Sequence, residues 1–188
     1  VIAYRDNGNS NYGTAIVGTV DSSDNSISFG SEAVFSSALT YHLSSTFDSN
    51  SNKVVIAYRG SNDDGYGIVG TVSGTSISFG SAAEFSGNND IEYTATTFDS
   101  NSNKVVIAYR DESTDYGTAV VGTVSGTSIS FGTPVVFRSA NSAQMTSGTI
   151  FDTATGKVII SYLQGNHGEV VVGTVSGTAI SFGTAVVF

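Results

Sequence analysis

Acidic and aromatic side chains gather in the segments of this sequence that differ most among its internal copies. Carboxylates accept hydrogen bonds from hydroxyl groups, and aromatic rings offer an apolar platform beside them. The combination predicts a surface that binds a glycan or a surface protein. The candidate ligand-binding residues are Tyr41, His42, Asp63, Asp64, Tyr66, Glu92, Tyr93, Asp111, Asp115 and Tyr116. The alternative is that the acids only keep a β-rich protein soluble and that the tyrosines cap strand ends.

A second pattern has the spacing with which a calcium loop opens. Asp48-x-Asn-x-Asn recurs from Asp99. The twelfth position of this pattern holds Arg59 or Arg110, where a calcium loop has a glutamate. A hairpin turn that begins with aspartate and has asparagine in a left-handed position explains both copies. We therefore predict no metal and no cofactor, with calcium at Asp48, Asp99 or Asp63 as the open alternative.

Glycoside hydrolysis is the enzymatic chemistry that paired acids suggest. It needs two carboxyl groups roughly 5 to 10 Å apart, one of them with a raised pKa. The acids of this sequence fall in exposed loops of differing length, and only Glu92 is placed near a predicted axis. His42 and His167 are the only histidines, and neither belongs to a nucleophile motif. We expect a protein that is not an enzyme, and hydrolysis ranks third among its predicted functions.

Charge and composition exclude several classes of partner. The 188 residues have a net charge of -9, and their 7 Lys and Arg residues do not cluster as nucleic-acid binding requires. The absence of cysteine excludes disulfides and thiolate metal sites. No apolar run is long enough to span a bilayer, and no leader-like segment opens the sequence. We expect a soluble protein that binds no nucleic acid and does not insert into a membrane.

The candidate residues lie in an internal repeat of about fifty residues, whose units must position them. Val-Ile-Ala-Tyr-Arg at 1–5 returns at 55–59 and 106–110, and as Ile-Ile-Ser-Tyr-Leu at 159–163. A period of this length indicates one array of units that stack to bury their apolar faces. The predicted units are 1–35, 36–85, 86–137 and 138–188.

Each unit reads as four antiparallel strands. The third unit shows them most completely, with predicted strands at 92–98, 104–109, 117–124 and 128–137. The second strand is apolar on consecutive positions, so both of its faces must be covered. The fourth strand carries Pro134, Glu32 or Glu84, and proline and charge are tolerated best on an edge strand. The resulting order, from inner to outer strand, is that of a propeller blade.

The chain also resembles known β-propeller repeats. Phe-Asp-Ser-Asn-Ser-Asn-Lys-Val-Val-Ile-Ala-Tyr at 98–109 and Val-Gly-Thr-Val-Ser-Gly-Thr-Ser-Ile-Ser-Phe-Gly at 121–132 are similar to repeats of marine phage and bacterial surface proteins. The resemblance implies an all-β propeller, of which four blades are seen and the first lacks its inner strand. We expect the gap to be filled by further repeats of a longer array, by a second copy that completes the ring, or by a partner strand.

Loop divergence indicates where such a scaffold recognises a ligand. The turns at 48–52 and 99–103 are nearly identical, whereas the loops between the second and third strands and between units differ in every copy. Variable loops on a fixed scaffold are the usual site of function. We therefore expect an adhesion module on a virion or at an extracellular microbial surface. A structural fibre or decoration subunit that assembles through strand edges is the second prediction.

Overall fold

The protein is all-β. The computed structural model describes residues 1–139 and 143–188, which contain strands and turns and no helix. The abundance of Val, Ile, Thr and Gly explains this, because β-branched residues favour strands and glycine favours turns. No helix in the described ranges could therefore cross a membrane. The predicted fold class is confirmed at this level.

We call the four units repeats 1 to 4. Repeat 1 contains β1 (Ile2–Asp6), β2 (Tyr12–Ile16), β3 (Gly18–Asp21), β4 (Ser26–Phe29) and β5 (Ala33–Leu39). Repeat 2 contains β6 (Tyr41–Asp48), β7 (Lys53–Arg59), β8 (Gly65–Ser73), β9 (Ser76–Phe79) and β10 (Ala83–Glu84). Repeat 3 contains β11 (Ile91–Asp99), β12 (Lys104–Asp111), β13 (Tyr116–Ser125), β14 (Ser128–Phe131) and β15 (Val135–Arg138). Repeat 4 contains β16 (Ala143–Asp152), β17 (Lys157–Gln164), β18 (His167–Ser176), β19 (Ala179–Phe182) and β20 (Val186–Val187).

Repeats 2, 3 and 4 each form one antiparallel sheet of five strands. In repeat 3, β11 pairs with β12, β12 pairs with β13, and β13 pairs with both β14 and β15. The predicted outer strand at 128–137 is thus two short strands on the same neighbour. The strand breaks between Phe131 and Val135, and the same break follows the Ser-Phe-Gly phrase in the other three repeats, which have no proline. The Gly132 N–H donates to the Val121 carbonyl at 2.9 Å.

Repeat 1 differs from the other three. Its sheet has three strands in the order β1, β2, β5, and β3 pairs with β4 as a separate hairpin. β1 corresponds to the second strand of the other repeats, and no first strand pairs with it among the described residues, so β1 is an edge strand. β5 also continues to Leu39, past the predicted boundary at 35.

The core lies between the sheets, in three clusters. Alternate residues of β12 face opposite neighbours: Ile107 and Tyr109 pack against repeat 2, whereas Val106 and Ala108 pack against repeat 4. The prediction that both faces of this strand are covered is confirmed. A third cluster joins repeats 1 and 2. Among the described residues no core cluster joins repeat 4 to repeat 1, and no closed ring is seen.

The antiparallel order gives every sheet two distinct ends. We call the end with the turns between first and second and between third and fourth strands the hairpin end. The other, with the loops from second to third strand and from one repeat to the next, is the connector end. Connectors of neighbouring repeats touch: Asp64 forms a β-bridge with Asp90, and the Glu112 N–H donates to the Asp90 carbonyl at 2.9 Å. The predicted connector at 138–145 falls partly outside the described residues.

Candidate functional site at the connector end

Two equivalent β-bulges place aromatic side chains at the connector end. Tyr41 pairs with Arg59 and Glu92 pairs with Arg110, and in both strands the register then shifts before regular pairing resumes. The extra residues include His42 with a φ of 48° and Tyr93 with a φ of 54°. A left-handed conformation is uncommon for bulky side chains. Its occurrence at the same place in two repeats is therefore a structural feature of these strands.

The bulges bring three rings together, and we call Tyr41, His42 and Tyr93 the aromatic cluster. The His42 and Tyr93 ring centroids are 5.2 Å apart at 66°, an edge-to-face arrangement, and those of Tyr41 and His42 are 6.4 Å apart. The Thr94 hydroxyl donates a hydrogen bond to the His42 carbonyl and so links the two bulges. Burial lowers the pKa of His42, which favours a neutral imidazole at pH 7.

Arginines cover the ring of Tyr41. The Arg5 guanidinium lies 4.9 Å and that of Arg59 5.9 Å from its centroid, within range for cation–π attraction. Arg5 and Arg59 are equivalent residues, each near the end of the second strand of its repeat. The Tyr41 ring is therefore held by repeats 1 and 2 together.

A network of charges surrounds the aromatic cluster, and we call it the charged rim. Its members are Arg59, Asp63, Glu92, Arg110, Glu112 and Asp115. Arg59 pairs with Asp63 at 2.6 Å, and Arg110 pairs in the same way with Asp115. Glu92 lies 2.8 Å from Arg110 and 3.9 Å from Arg59, and so connects repeats 2 and 3. These distances bring together six of the ten predicted residues: Tyr41, His42, Asp63, Glu92, Tyr93 and Asp115.

Glu112 is an acid of the charged rim whose pKa is raised. Its carboxylate lies 3.8 Å from the Arg59 guanidinium. Partial burial, with the charge and hydrogen bonding of Glu92 adding to it, raises the pKa of Glu112. Glu92 and Glu112 thus form a carboxyl pair in which one member binds a proton more readily than an ordinary glutamate does.

Two predicted acids serve the loops instead. Asp111 is buried, and one of its oxygens accepts hydrogen bonds from the Ser113 and Thr114 backbone N–H groups at 2.9 and 3.3 Å. Asp64 is also buried and accepts a hydrogen bond from Asn62. Burial raises the pKa of Asp64, and the charges of Glu84, Asp90 and Asp63 add to this.

The remaining two predicted residues lie outside the aromatic cluster. Tyr66 stacks on Tyr58 with centroids 5.8 Å apart, and its hydroxyl accepts a hydrogen bond from Asn62 at 2.9 Å. These residues line a separate cleft of about 220 Å³ between repeats 1 and 2. Tyr116 begins β13 as a half-buried residue and pairs with Asp111. The predicted set therefore divides into one cluster and several isolated positions.

Repeat 4 carries a different polar group at this end. Glu169 is buried and accepts a hydrogen bond from the Tyr162 hydroxyl at 2.8 Å. Arg138 lies 3.2 Å and His167 3.7 Å from the same carboxylate. The connector end of repeat 4 thus differs chemically from those of repeats 2 and 3.

The aspartates at the hairpin end accept hydrogen bonds within their own turns. Asp99 accepts hydrogen bonds from the Asn101 and Ser102 N–H groups at 2.9 and 3.1 Å and from the Ser102 hydroxyl at 2.7 Å. Asp48 makes the equivalent three bonds. Asn103 has a φ of 54°, as a hairpin turn of this kind requires. The turn interpretation of the Asp-x-Asn-x-Asn pattern is confirmed.

Sequence reasoning missed the arginines. Arg5, Arg59 and Arg110 belong to the recurring phrase and were assigned to the scaffold, although the first two cover Tyr41 and the last two hold the rim. A signal was present, because the fourth copy of the phrase replaces this arginine with Leu163.

No protein-family model, no curated protein and no solved structure matches the chain. The site is therefore interpreted from its own geometry.

Proposed function

We propose that the connector end recognises a glycan through the aromatic cluster and the charged rim, and that the protein is a non-catalytic adhesion module. The observation that carries this proposal is the pair of left-handed residues, His42 and Tyr93, whose rings meet at 5.2 Å. Strained backbone persists where the surrounding structure enforces it, and it concentrates at functional sites. Two bulges that each place a ring at the same surface fit that description.

The chemistry around the rings suits a polyhydroxylated ligand. Aromatic rings pack against the C–H faces of a sugar, while Glu92 and Glu112 accept hydrogen bonds and the two rim arginines donate them. Tyr41 is covered by Arg5 and Arg59, whereas no cation–π contact is formed on Tyr93 among the described residues. Tyr93 is therefore the ring that contributes most to ligand contact in this proposal.

The proposal includes an architecture and a location. Neighbouring sheets pack face to face through shared cores, with β6 beside β11 and β11 beside β16. This packing supports an arrangement of the repeats as part of a β-propeller. The net charge of -9 and the absence of cysteine are compatible with a virion or extracellular microbial surface. The resemblance to phage and bacterial surface repeats points the same way.

Two other functions remain as alternatives of lower rank. A structural subunit is favoured by apolar side chains that are exposed on the first and last sheets. Glycoside hydrolysis is favoured by the carboxyl pair of Glu92 and Glu112. Both carboxylates, however, already lie within ion-pair distance of the rim arginines.

A glycan microarray tests the proposal. Wild-type protein is expected to bind a defined subset of glycans, and Tyr93→Ala is expected to abolish this signal. Tyr116→Ala is the matched control, since it removes the same side chain outside the aromatic cluster, and it is expected to keep the signal. Binding that is equal in all three proteins contradicts the site. Absence of glycan binding, together with capture of a cell-surface protein that Tyr93→Ala abolishes, assigns the same site to a protein ligand instead.

A further inference from the structure

A cleft between repeats 1 and 2 lies at the connector end, outside the aromatic cluster and the charged rim. It has a volume of about 220 Å³ and is formed where the connector of repeat 1 faces the loop after β7. The cleft belongs to an internal interface of the array. Its lining includes Ser36, Ala38, Tyr58, Gly60, Asn62 and Tyr66.

The connector of repeat 1 leaves this space open because it follows its own sheet. Its residue Leu39 still pairs with Tyr12 of β2. The connector of repeat 2 instead reaches the loop of the following repeat, where the Asn89 side chain donates a hydrogen bond to Asp111 at 3.1 Å. The two interfaces therefore differ at the place where the cleft lies.

Small residues of repeat 2 add to the space. Gly60 corresponds to Asp111 in repeat 3 and to Gln164 in repeat 4. Ala82, which also lines the cleft, corresponds to Pro134 in repeat 3. The larger residues of the later repeats would occupy volume that is open here.

Two stacked tyrosines form one wall of the cleft. The ring centroids of Tyr58 and Tyr66 are 5.8 Å apart, and the ring planes are inclined by 27°. A Cβ at Gly60 would lie 2.8 Å from the Tyr66 ring, so this ring depends on the glycine beside it. Repeats 3 and 4 have Thr118 and Glu169 at the position of Tyr66. The aromatic wall is therefore particular to repeat 2 among these repeats.

Polar groups of the cleft are oriented by hydrogen bonds. The Asn62 amide nitrogen donates to the Asp64 carboxylate and, at 2.9 Å, to the Tyr66 hydroxyl. These bonds use both N–H groups of the amide, and within the described ranges its carbonyl oxygen and the Tyr66 hydroxyl proton have no partner. Burial raises the pKa of Tyr58 to about 12, so this hydroxyl also keeps its proton at neutral pH. The cleft thus offers one acceptor and two donors.

The charges beside the cleft are those of acids. Asp64 is buried next to Asn62, and Glu84 pairs with Tyr66 across β8 and β10. The lining itself, as far as the structure describes it, contains no charged side chain. An anionic ligand would meet these carboxyl groups without a counter-charge, whereas a neutral ligand avoids that cost.

We propose that this cleft binds one neutral sugar ring, packed on the Tyr66 ring and hydrogen-bonded by the Asn62 carbonyl oxygen and the Tyr58 and Tyr66 hydroxyls. Pockets for drug-sized ligands measure about 300 to 1,000 Å³, so a cleft of about 220 Å³ suits a single ring. The aromatic wall would contact the apolar C–H face of the sugar. The site is separate from the aromatic cluster, so this inference goes beyond the proposed function and can hold or fail without it.

Saturation-transfer NMR with free sugars tests the proposal. The neutral probes are glucose, galactose, mannose and N-acetylglucosamine, and their acidic counterparts are glucuronate and galacturonate. Wild-type protein is expected to transfer saturation to at least one neutral sugar and to neither uronate, because the cleft has no cation to balance a carboxylate.

Two variants locate the signal. Tyr66→Thr introduces the residue that repeat 3 has at the equivalent position, so it is expected to fold, and it is expected to abolish the signal. Tyr93→Ala removes a tyrosine ring of the aromatic cluster, outside the cleft, and is expected to keep the signal. Asn62→Ala changes an exposed residue and is expected to weaken binding about fivefold, since it removes one hydrogen-bond acceptor. Circular dichroism spectra that match wild type verify the fold of each variant.

Three results would overturn the proposal. One is the absence of a signal from all four neutral sugars, which leaves the array test of the aromatic cluster intact. Another is a signal that Tyr66→Thr and Asn62→Ala keep and Tyr93→Ala abolishes, which assigns the sugar to the aromatic cluster instead. The third is a uronate signal as strong as that of the neutral sugars, which contradicts the class of ligand.

Discussion

The hairpin end and the connector end are built on the same strands, but their charged side chains find partners in different places. At the hairpin end, Asp48 and Asp99 are buried and satisfied by donors of their own turns. At the connector end, Arg59 and Glu92 pair across repeats, and two aromatic residues adopt left-handed conformations. Local satisfaction makes a turn independent of its neighbours, whereas pairing across repeats makes a composite surface. With the function we propose, stability and recognition would fall at opposite ends of the sheets.

The largest expected effect is at the hairpin end, where Gly132 packs against the turn of the next repeat. Gly132→Val is expected to lower the free energy of unfolding by about 3 kcal/mol, because its side chain would overlap the Thr178 carbonyl. Gly183→Val, the matched change in repeat 4, is expected to cost less than about 0.5 kcal/mol. Urea unfolding measures both. Equal losses in the two variants would show that the glycine contacts do not hold the repeats together.

Removal of a turn aspartate is expected to have the next largest effect. Asp99→Ala is expected to lower the free energy of unfolding by about 2 kcal/mol, because it removes a buried carboxylate that accepts three hydrogen bonds within the turn. Asp152→Ala removes a half-buried equivalent that accepts one backbone and one hydroxyl hydrogen bond, and a smaller loss is expected. The same urea titrations compare the two. Glycan binding is expected to be unchanged in both variants, and its loss in Asp99→Ala would break the division between the ends.

A strained aromatic residue should affect binding more than stability. Tyr93→Gly removes the ring and relieves a left-handed conformation, which costs about 1 kcal/mol for a residue with a side chain. Its side chain is also half-buried against the core between repeats 3 and 4, so we expect a net loss of about 1 to 2 kcal/mol in the free energy of unfolding, while array binding is lost. Thermal unfolding and the microarray measure the two effects. A loss of more than about 3 kcal/mol with array binding retained would instead show that Tyr93 acts only in the core.

The smallest expected effect is the pH dependence of the charged rim. The pKa of Glu112 is raised above its usual 4.5, so the folded protein binds this proton more tightly than the unfolded chain. Its contribution to stability is therefore present below pH 4.5 and is lost as the pH rises through the folded-state pKa. Glu112→Gln, which stays neutral, is expected to gain stability relative to wild type between pH 4 and 7. An unchanged difference across that range would contradict the Glu92–Glu112 pairing.

Strand order and the buried second strand could be predicted because they follow from periodicity that recurs in every repeat. The turn role of Asp99 was also readable, since turn chemistry is local. The aromatic cluster was not readable as a cluster, because it depends on β-bulges, and a register shift leaves no mark in the alternation of residues. Asp111 was predicted to lie in a loop, but the second strand extends two residues further than its apolar run. It ends β12, and its carboxylate serves the turn that follows.

Chemical-shift mapping tests the division of the molecule most directly. Isotope-labelled protein is titrated with the oligosaccharide that gives the strongest array signal, and backbone amide shifts are followed. We expect the largest changes in residues 41–44, 60–64, 91–94 and 111–115. Changes centred on the turns at 48–52 and 99–103 would place recognition at the hairpin end and contradict this division.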